Sequence, residues 1–329
     1  MSGVASPVDE VVQELREAEK LLLTTHENPD GDALGSLLGM HELLRELGKD
    51  SVMFMAAYEF PLPHEYRHMH LEDVITSPPD DVGERVIVFL DCGNIDRMPV
   101  DFLRADGCHI VNIDHHHDNT RFGSVNLVVP EASCTAEIVW DLARELGVPL
   151  TPRMAEALYI GLVTDTGRFQ YTNTTARAHR MAAELIEAGV DPHAVSRQIY
   201  ENLPYSRLLL LRRALDHVCR LDGGAITLTH LTREDYAAAG AIESDSEGII
   251  DHLRGVEGTK VAVLIRELLA DDRAGVCKVS LRSADGEVDV SRIARAHGGG
   301  GHRQAAGFST ELGLEELIER LRAQIAEQL

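Results

Sequence analysis

Three short apolar runs in this chain each stop at residues able to bind a cation or move a proton. Leu21-Leu22-Leu23-Thr24-Thr25 runs into His26. Arg85-Val86-Ile87-Val88-Phe89-Leu90 runs into Asp91, and His109-Ile110-Val111-Asn112-Ile113 runs into Asp114-His115-His116-His117. Runs of this length and aliphatic content read as buried strands. Ser51–Ala56 and Val125–Val129 read as two more. Amphipathic or apolar helical patterns alternate with them, at Val8–Lys20, Ala33–Leu47 and Ser133–Glu145, the last with Ser133 or Thr135 as its expected cap, then from Pro152 to Asp165 and from Thr174 to Ala188. Alternation of this kind predicts an α/β fold around a parallel sheet with right-handed crossovers. The carboxyl ends of parallel strands lie along one edge, where open α/β sheets bind their ligands. Residues far apart in sequence are therefore expected to converge there.

The first of these turns, His26-Glu27-Asn28-Pro29-Asp30-Gly31-Asp32, packs one imidazole and two aspartates between a strand and a helix. Pro29 restricts φ, and Gly31 tolerates conformations other residues avoid. Two carboxylates so close repel in apolar surroundings unless a cation sits beside them, and mixed carboxylate and imidazole donors suit Mn²⁺, Mg²⁺ or Zn²⁺. By itself the turn reads equally well as a helix cap made by Asp30 or Asp32. Asp91, His115 and Asp165 tilt the balance, because a cap does not explain metal-capable residues at several strand ends.

A chain of 329 residues predicts two domains. The expected boundaries are a catalytic domain over 1–190, a helical linker over 191–221 broken at Pro204, and a second domain over 222–329 with strands at Ala225–Thr229, Lys260–Leu268 and Gly275–Leu281. Helices are expected at Val288–His297 and Leu314–Leu329. A formal net charge of −23 disfavours a passive grip on long duplex nucleic acid. Any nucleic-acid substrate should be short and held in a local basic pocket. Met1–Glu10 lacks the basic and apolar segments of a signal peptide, and no apolar run approaches the length of a bilayer span, so no membrane role is expected. The five cysteines are scattered, with no C-x-x-C pair, as in a cytoplasmic protein. His41-Glu42-Leu43-Leu44-Arg45 lacks the second histidine of a metalloprotease helix. No P-loop, dinucleotide-binding fingerprint or nucleophile elbow is present.

The candidate metal ligands are His26, Asp30, Asp32, Asp91, His115 and Asp165. Two cations about 3.5–4 Å apart need a shared carboxylate, and Asp91 is the natural one. His26 and Asp30 would complete one coordination shell, and Asp32, His115 and Asp165 the other. Asp114 is expected to orient a histidine rather than to bind metal. His116 would face substrate, holding a phosphate oxygen or protonating a leaving group. His117 reads as a solvated loop residue, and Asn112, Asp118 and Asn119 as ties between loop and backbone. In the second domain Arg282 offers a planar fork for phosphate. Gly299, Gly300 and Gly301 would let backbone amides approach an anion closely, and His302 could donate to it or stack on a base.

The chain resembles the DHH phosphoesterase superfamily in four ordered motifs: His26-x-Asn28-Pro29-Asp30-Gly31-Asp32, Asp91-Cys92-Gly93, Asp114-His115-His116 and Asp165-Thr166-Gly167. Val279-Ser280-Leu281-Arg282-Ser283 and Gly298-Gly299-Gly300-Gly301-His302-Arg303-Gln304-Ala305-Ala306-Gly307 resemble the DHH-associated domain of its NrnA-like branch. The resemblance implies a cytoplasmic, two-domain phosphoesterase with its active site in the cleft between domains. It would use two Mn²⁺ ions, with Mg²⁺ or Co²⁺ as substitutes, and form a homodimer. Implied substrates are very short single-stranded RNAs (nanoRNA, pApA) cut to mononucleotides, and adenosine 3′,5′-bisphosphate. The alternatives are hydrolysis of cyclic di-AMP, or a nucleotide-binding regulatory protein without turnover.

Overall fold

A computed structural model describes residues 6–98, 100–105, 107–201 and 203–329. Met1–Ala5, part of the segment weighed as a leader, and Asn202, inside the expected linker, lie outside the described residues. The chain divides into two compact units, residues 1–202 and 203–329.

The first unit runs α1 (Pro7–Glu17), β1 (Lys20–Thr24), α2 (Gly31–Glu46), β2 (Asp50–Met53), β3 (Val86–Leu90), β4 (Ile110–Asp114), β5 (Val125–Val128), α3 (Thr135–Leu146), α4 (Pro152–Asp165), α5 (Ala176–Glu187) and α6 (Pro192–Tyr200). Its five strands lie in the order β2-β1-β3-β4-β5, every neighbouring pair parallel. The expected parallel sheet is therefore present, and β1, β3 and β4 sit side by side at its centre.

Side chains alternate across a sheet, and each face buries its own core. Leu21, Leu23, Val88, Leu90, Val111 and Ile113 pack with the helices. Leu22, Ile87, Phe89 and Ile110 face the other way, onto Phe54, Met98 and Leu103 and onto half-buried Phe102 and Phe122. That second face is covered by loops and short 3₁₀ turns.

Helix α2 is buried from Gly31 to Leu44, as a helix without a continuous polar face must be. Gly35 explains how α4 comes so near. A Cβ there would lie 2.4 Å from the Ala157 carbonyl oxygen and 2.8 Å from the Gly161 nitrogen. Small residues on both helices let the two backbones touch, which brings Asp32, at the start of α2, toward the end of α4 that carries Asp165.

The start of α3 corrects one expectation. Neither Ser133 nor Thr135 caps the helix. Cys134 occupies the cap position and makes no side-chain capping bond. The Ser133 amide donates to Glu137 Oε2 at 2.9 Å, and the first amides of α3 have another partner, in the metal-capable cluster.

The second unit runs α7 (Tyr205–Asp216), β6 (Cys219–Leu221), β7 (Ile226–Leu231), α8 (Arg233–Ala239), α9 (Ile249–Arg254), β8 (Val261–Glu267), β9 (Cys277–Ser283), α10 (Val290–Ala296), β10 (Gly300–Gly301), β11 (Ala305–Thr310) and α11 (Leu314–Ala326). Its sheet has the order β10-β11-β9-β8-β7-β6 and is mixed, with only β7 and β8 parallel. In the segment 191–221, α6 buries Val195 and Ile199 in the first unit's core, whereas α7 buries Leu210 and Ala214 in the second's. Helix α10 starts later than Val288 because Asp289 is its N-cap, accepting the Ser291 amide at 3.1 Å. No helix among the described residues is long and apolar enough to cross a membrane.

Candidate metal centre

The site is built from the ends of β1, β3 and β4. Strand β3 ends where Asp91 adopts φ +56, a conformation that aspartate tolerates better than most residues. The Asp91 amide still donates to the Ile113 carbonyl at 3.0 Å. The chain thus turns out of the sheet while its last pairing holds, and the carboxylate stands at the rim, 2% exposed.

Three histidines lie 3.6 Å from the Asp91 carboxylate, and two of them, His26 and His115, turn Nε2 toward different oxygens of it. His26 donates from Nδ1 to its neighbour's carbonyl, Glu27 O, at 2.7 Å. His115 does the same toward Ala132 O at 3.4 Å. A carbonyl can only accept, so Nδ1 carries a proton in both rings and Nε2 is the nitrogen left to bind a metal. His26 Nε2 lies 3.6 Å from Asp91 Oδ2, and His115 Nε2 lies 3.6 Å from Asp91 Oδ1. The same nitrogen of His115 lies 3.9 Å from Asp32 Oδ2 and 3.8 Å from Asp165 Oδ2. These spacings are too long for hydrogen bonds and suit groups gathered around a common cation.

Three triads of metal-capable residues form among the described residues of this unit. Asp91, Asp114 and His116 make one, around the hydrogen bond between His116 and Asp114. The other two each bring a histidine Nε2 toward Asp91. His26, Asp30 and Asp91 can each bring one donor atom within 4.8 Å of the others, and so can Asp32, Asp91 and His115. Asp91 belongs to both of these. Asp30 resolves the ambiguity of the first turn, because it caps and remains available. Its Oδ1 accepts the amides of Asp32 and Ala33 at 3.0 and 3.1 Å. A carboxylate has a second oxygen, and the two readings of that turn are compatible.

The electrostatics also call for a cation. Asp32 and Asp91 are buried, and no lysine or arginine among the described residues lies within ion-pair distance of Asp32, Asp91 or Asp165. Burial, reinforced by the charges of Asp91 and Asp165, pushes the Asp32 carboxyl well above its usual range. Burial likewise raises Asp165 to about 6, with Asp30 and Asp91 adding to it and His115 opposing. Asp91 goes the other way. Burial would raise it too, but the contact with His26 and the charges of His116 and His115 outweigh that. Three acids with no lysine or arginine beside them, ringed by imidazole nitrogens, form a donor set that fits divalent metal.

His116 has a different setting. Its Nδ1 donates to Asp114 Oδ1 at 2.7 Å, so that nitrogen is committed. Burial alone would lower its pKa, but the Asp114 carboxylate, by charge and hydrogen bond, raises it to about 9. Asp114 is held in turn by Asn119, whose Nδ2 donates to Asp114 Oδ2 at 2.5 Å and to Asn112 Oδ1 at 2.8 Å. His116 therefore stands as a protonated imidazole beside the triads of His26 and His115.

Sequence reasoning missed three contributors. Thr135, weighed only as a cap, donates its hydroxyl to Asp91. The amides of Thr135 and Ala136 bond to Asp32 at 2.7 and 2.9 Å, which is where the first amides of α3 go. Asn173 Nδ2 lies 3.0 Å from Asp165 Oδ2 and 2.8 Å from Ser133 O. Ser-Cys-Thr-Ala before a helix does signal a helix start, but nothing in the sequence says which carboxylate it meets. The chain also carries the H-E-x-x-H spacing at His64-Glu65-Tyr66-Arg67-His68, likewise overlooked. There it falls on a 3₁₀ helix, His64–Met69. Residues four apart on such a helix point about 120° apart, so the two rings do not share a face.

In the second unit Ala305 of β11 pairs with Arg282 of β9, so the glycine loop and the arginine are neighbours. The glycines there have separate reasons to be glycine. A Cβ on Gly299 would lie 2.1 Å from the Gly307 carbonyl oxygen, and one on Gly301, at φ +129, 2.5 Å from that of Ala305. Gly300 would meet nothing within 4 Å. Backbone crowding thus explains why Gly299 and Gly301 carry no side chain. His302 begins a tight turn, donating its amide to Ala305 O at 2.7 Å.

Residues 20–162 match the model of the DHH family, N-terminal domain, and residues 234–329 that of the DHHA1 domain. The chain is 35% identical over 314 residues to the bifunctional oligoribonuclease and PAP phosphatase NrnA of Thermus thermophilus, covering 94% of this chain and 90% of that one. It is 29% identical to the Bacillus subtilis protein of the same description, covering 91% and 92%. Among solved structures it superposes on an exopolyphosphatase-related protein from Bacteroides fragilis with a TM-score of 0.85 at 25% identity, covering 99% and 98% of the two chains.

Proposed function

This chain belongs to the DHH family, in the branch that carries a DHHA1 domain, and on that footing we propose that it is a divalent-metal-dependent phosphoesterase. Its proposed substrates are very short single-stranded oligoribonucleotides, released as nucleoside monophosphates, and adenosine 3′,5′-bisphosphate, converted to AMP. The named activities of the relatives support this choice. The formal charge of −23 argues for short substrates over long duplexes. The observation that carries the reading is the division of Asp91, whose Oδ2 faces His26 and whose Oδ1 faces His115, each at 3.6 Å. A carboxylate so placed can be shared by two ions.

In this reading His26, Asp30 and Asp91 hold one ion, and Asp32, Asp91, His115 and Asp165 the other. Mn²⁺ is the proposed metal, because the donor set mixes imidazole and carboxylate and contains no thiolate. Bound divalent ions supply Lewis acidity and a nucleophile competent at neutral pH. His116, kept protonated by Asp114, donates to the phosphate or to the departing oxygen. Arg282, Gly300 and His302, with the backbone of Gly299 and Gly301, hold the nucleotide and limit its length. The cytoplasm is the proposed setting, and five unpaired cysteines suit its reducing conditions.

The test is turnover of pApA, short RNAs, adenosine 3′,5′-bisphosphate, cyclic di-AMP and pyrophosphate with added Mn²⁺, and Asp91→Asn as control. Mononucleotide release from pApA and short RNA, lost in the variant, is expected. Preferential hydrolysis of cyclic di-AMP would overturn the substrate assignment, and binding without any product release would make the protein a sensor.

A further inference from the structure

Among the described residues, Thr135 is the one whose backbone and side chain reach two different carboxylates of the centre. Its amide donates to Asp32 Oδ2 at 2.7 Å, and its hydroxyl donates to Asp91 Oδ1 at 2.9 Å. The side chain is fully buried. Ala136 completes the clamp, its amide 2.9 Å from Asp32 Oδ1. The free amides at the start of α3 thus close on a carboxylate from α2, where most helices would use a side chain of their own N-cap.

The hydroxyl has a distinct effect from the amides. An ionised carboxylate only accepts, so the hydroxyl proton must point at Asp91. This pins Oδ1 of Asp91, and with it the rotation of the carboxylate, leaving Oδ2 turned toward His26. We infer that Thr135 is a positioning residue that sets the plane of the Asp91 carboxylate so that each oxygen serves a different ion. The inference rests on the two-ion reading above and concerns which residue enforces it. Without the hydroxyl the carboxylate is free to swing and to offer both oxygens to one side. Gly161 makes the approach of α3 possible, since a Cβ there would lie 2.7 Å from Ala136 Cβ and 2.9 Å from Asp32 Oδ1.

The experiment compares wild type with Thr135→Val, which keeps the shape and the amide but loses the hydroxyl, and with Thr135→Ser, which keeps the hydroxyl. Mn²⁺ binding is followed on the full chain by the paramagnetic resonance of free Mn²⁺ and by calorimetry, with thermal unfolding of the metal-free proteins alongside. Hydrogen-bond partners of metal ligands are worth about 10–100-fold in affinity. A loss of that size is expected for Thr135→Val at one or both ions, with Thr135→Ser within about threefold of wild type and metal-free melting of the two variants alike. Should Thr135→Val not fold, Thr135→Ala against Thr135→Ser isolates the hydroxyl, because both lack the methyl group. Unchanged Mn²⁺ affinity on loss of the hydroxyl overturns the positioning role alone. A wild type that takes up no Mn²⁺ overturns the two-ion reading beneath it.

Discussion

Nδ1 of His116 lies 2.7 Å from Oδ1 of Asp114, both side chains buried, and this contact separates His116 from the other imidazoles of the centre. His26 and His115 spend Nδ1 on main-chain carbonyls and turn Nε2 toward the acids. His116 spends its Nδ1 on a carboxylate and is held protonated, with a pKa raised to about 9. Asp114→Asn should therefore leave cation uptake near the wild-type level and reduce turnover by about 10²–10⁴-fold, the usual loss when a positioned proton donor is removed. Parallel Mn²⁺ titrations and single-turnover assays check this, and a matching loss of uptake would make Asp114 a ligand.

Removal of the cations should lower stability measurably. A ligand bound only by the native state contributes about 2.7 kcal/mol at a hundred times its dissociation constant. Melting temperature should rise with added Mn²⁺ and fall on chelation. Asp91→Asn should flatten that response and lower turnover by about three orders of magnitude, or roughly 4 kcal/mol in the barrier.

The approach of α2 to α4 should be intolerant of a single methyl group. Gly35→Ala would place Cβ 2.4 Å from a backbone oxygen that cannot move aside. A destabilisation of about 1–3 kcal/mol or more by urea unfolding is expected. Gly83→Ala, with nothing within 4 Å of its new Cβ, should stay within about 0.5 kcal/mol.

Hydrogen bonds from Arg85 and then Lys20 hold the Asp81 carboxyl down at about 2, below the 3.8 of a free side chain. A depressed carboxylate stabilises the native state above its unfolded pKa and loses that contribution as pH falls through the folded one. Asp81→Asn should thus be less stable than wild type at neutral pH. The gap should close progressively between about pH 4 and pH 2, as denaturant midpoints measured across that range will read out. A gap independent of pH would mean that the carboxylate charge is not what matters.

In the second unit, substitutions should sort by geometry. Arg282→Ala should raise KM for pApA about tenfold to a hundredfold, the worth of a charged hydrogen bond, with Mn²⁺ uptake unchanged. Gly300→Ala should fold normally, whereas Gly299→Ala should lose stability against Gly307. Circular dichroism melts separate these cases from changes in substrate binding.

The strands, their parallel arrangement and the residues at their ends were legible in the chain itself. Apolar runs that stop at His26, Asp91 and Asp114 could hardly fold otherwise than as parallel strands with a polar rim, because burying them next to helices leaves the strand ends as the place for acids. Asp30 was readable as cap or ligand, and its two oxygens allow both. What the sequence could not convey was every relationship made across long separations. Thr135 looked like the cap of its own helix, since local signals describe only local bonds. Its hydroxyl meets Asp91, 44 residues away, and its amide meets Asp32, 103 residues away. Likewise the crowding of Gly299 and Gly301 against β11 comes from strand pairing that the glycine run does not reveal. Strand ends are set by hydrophobic periodicity, which each segment carries by itself. The direction in which a hydroxyl or an amide points depends on helix packing, and only the close contact of α2, α3 and α4 through Gly35 and Gly161 decides it.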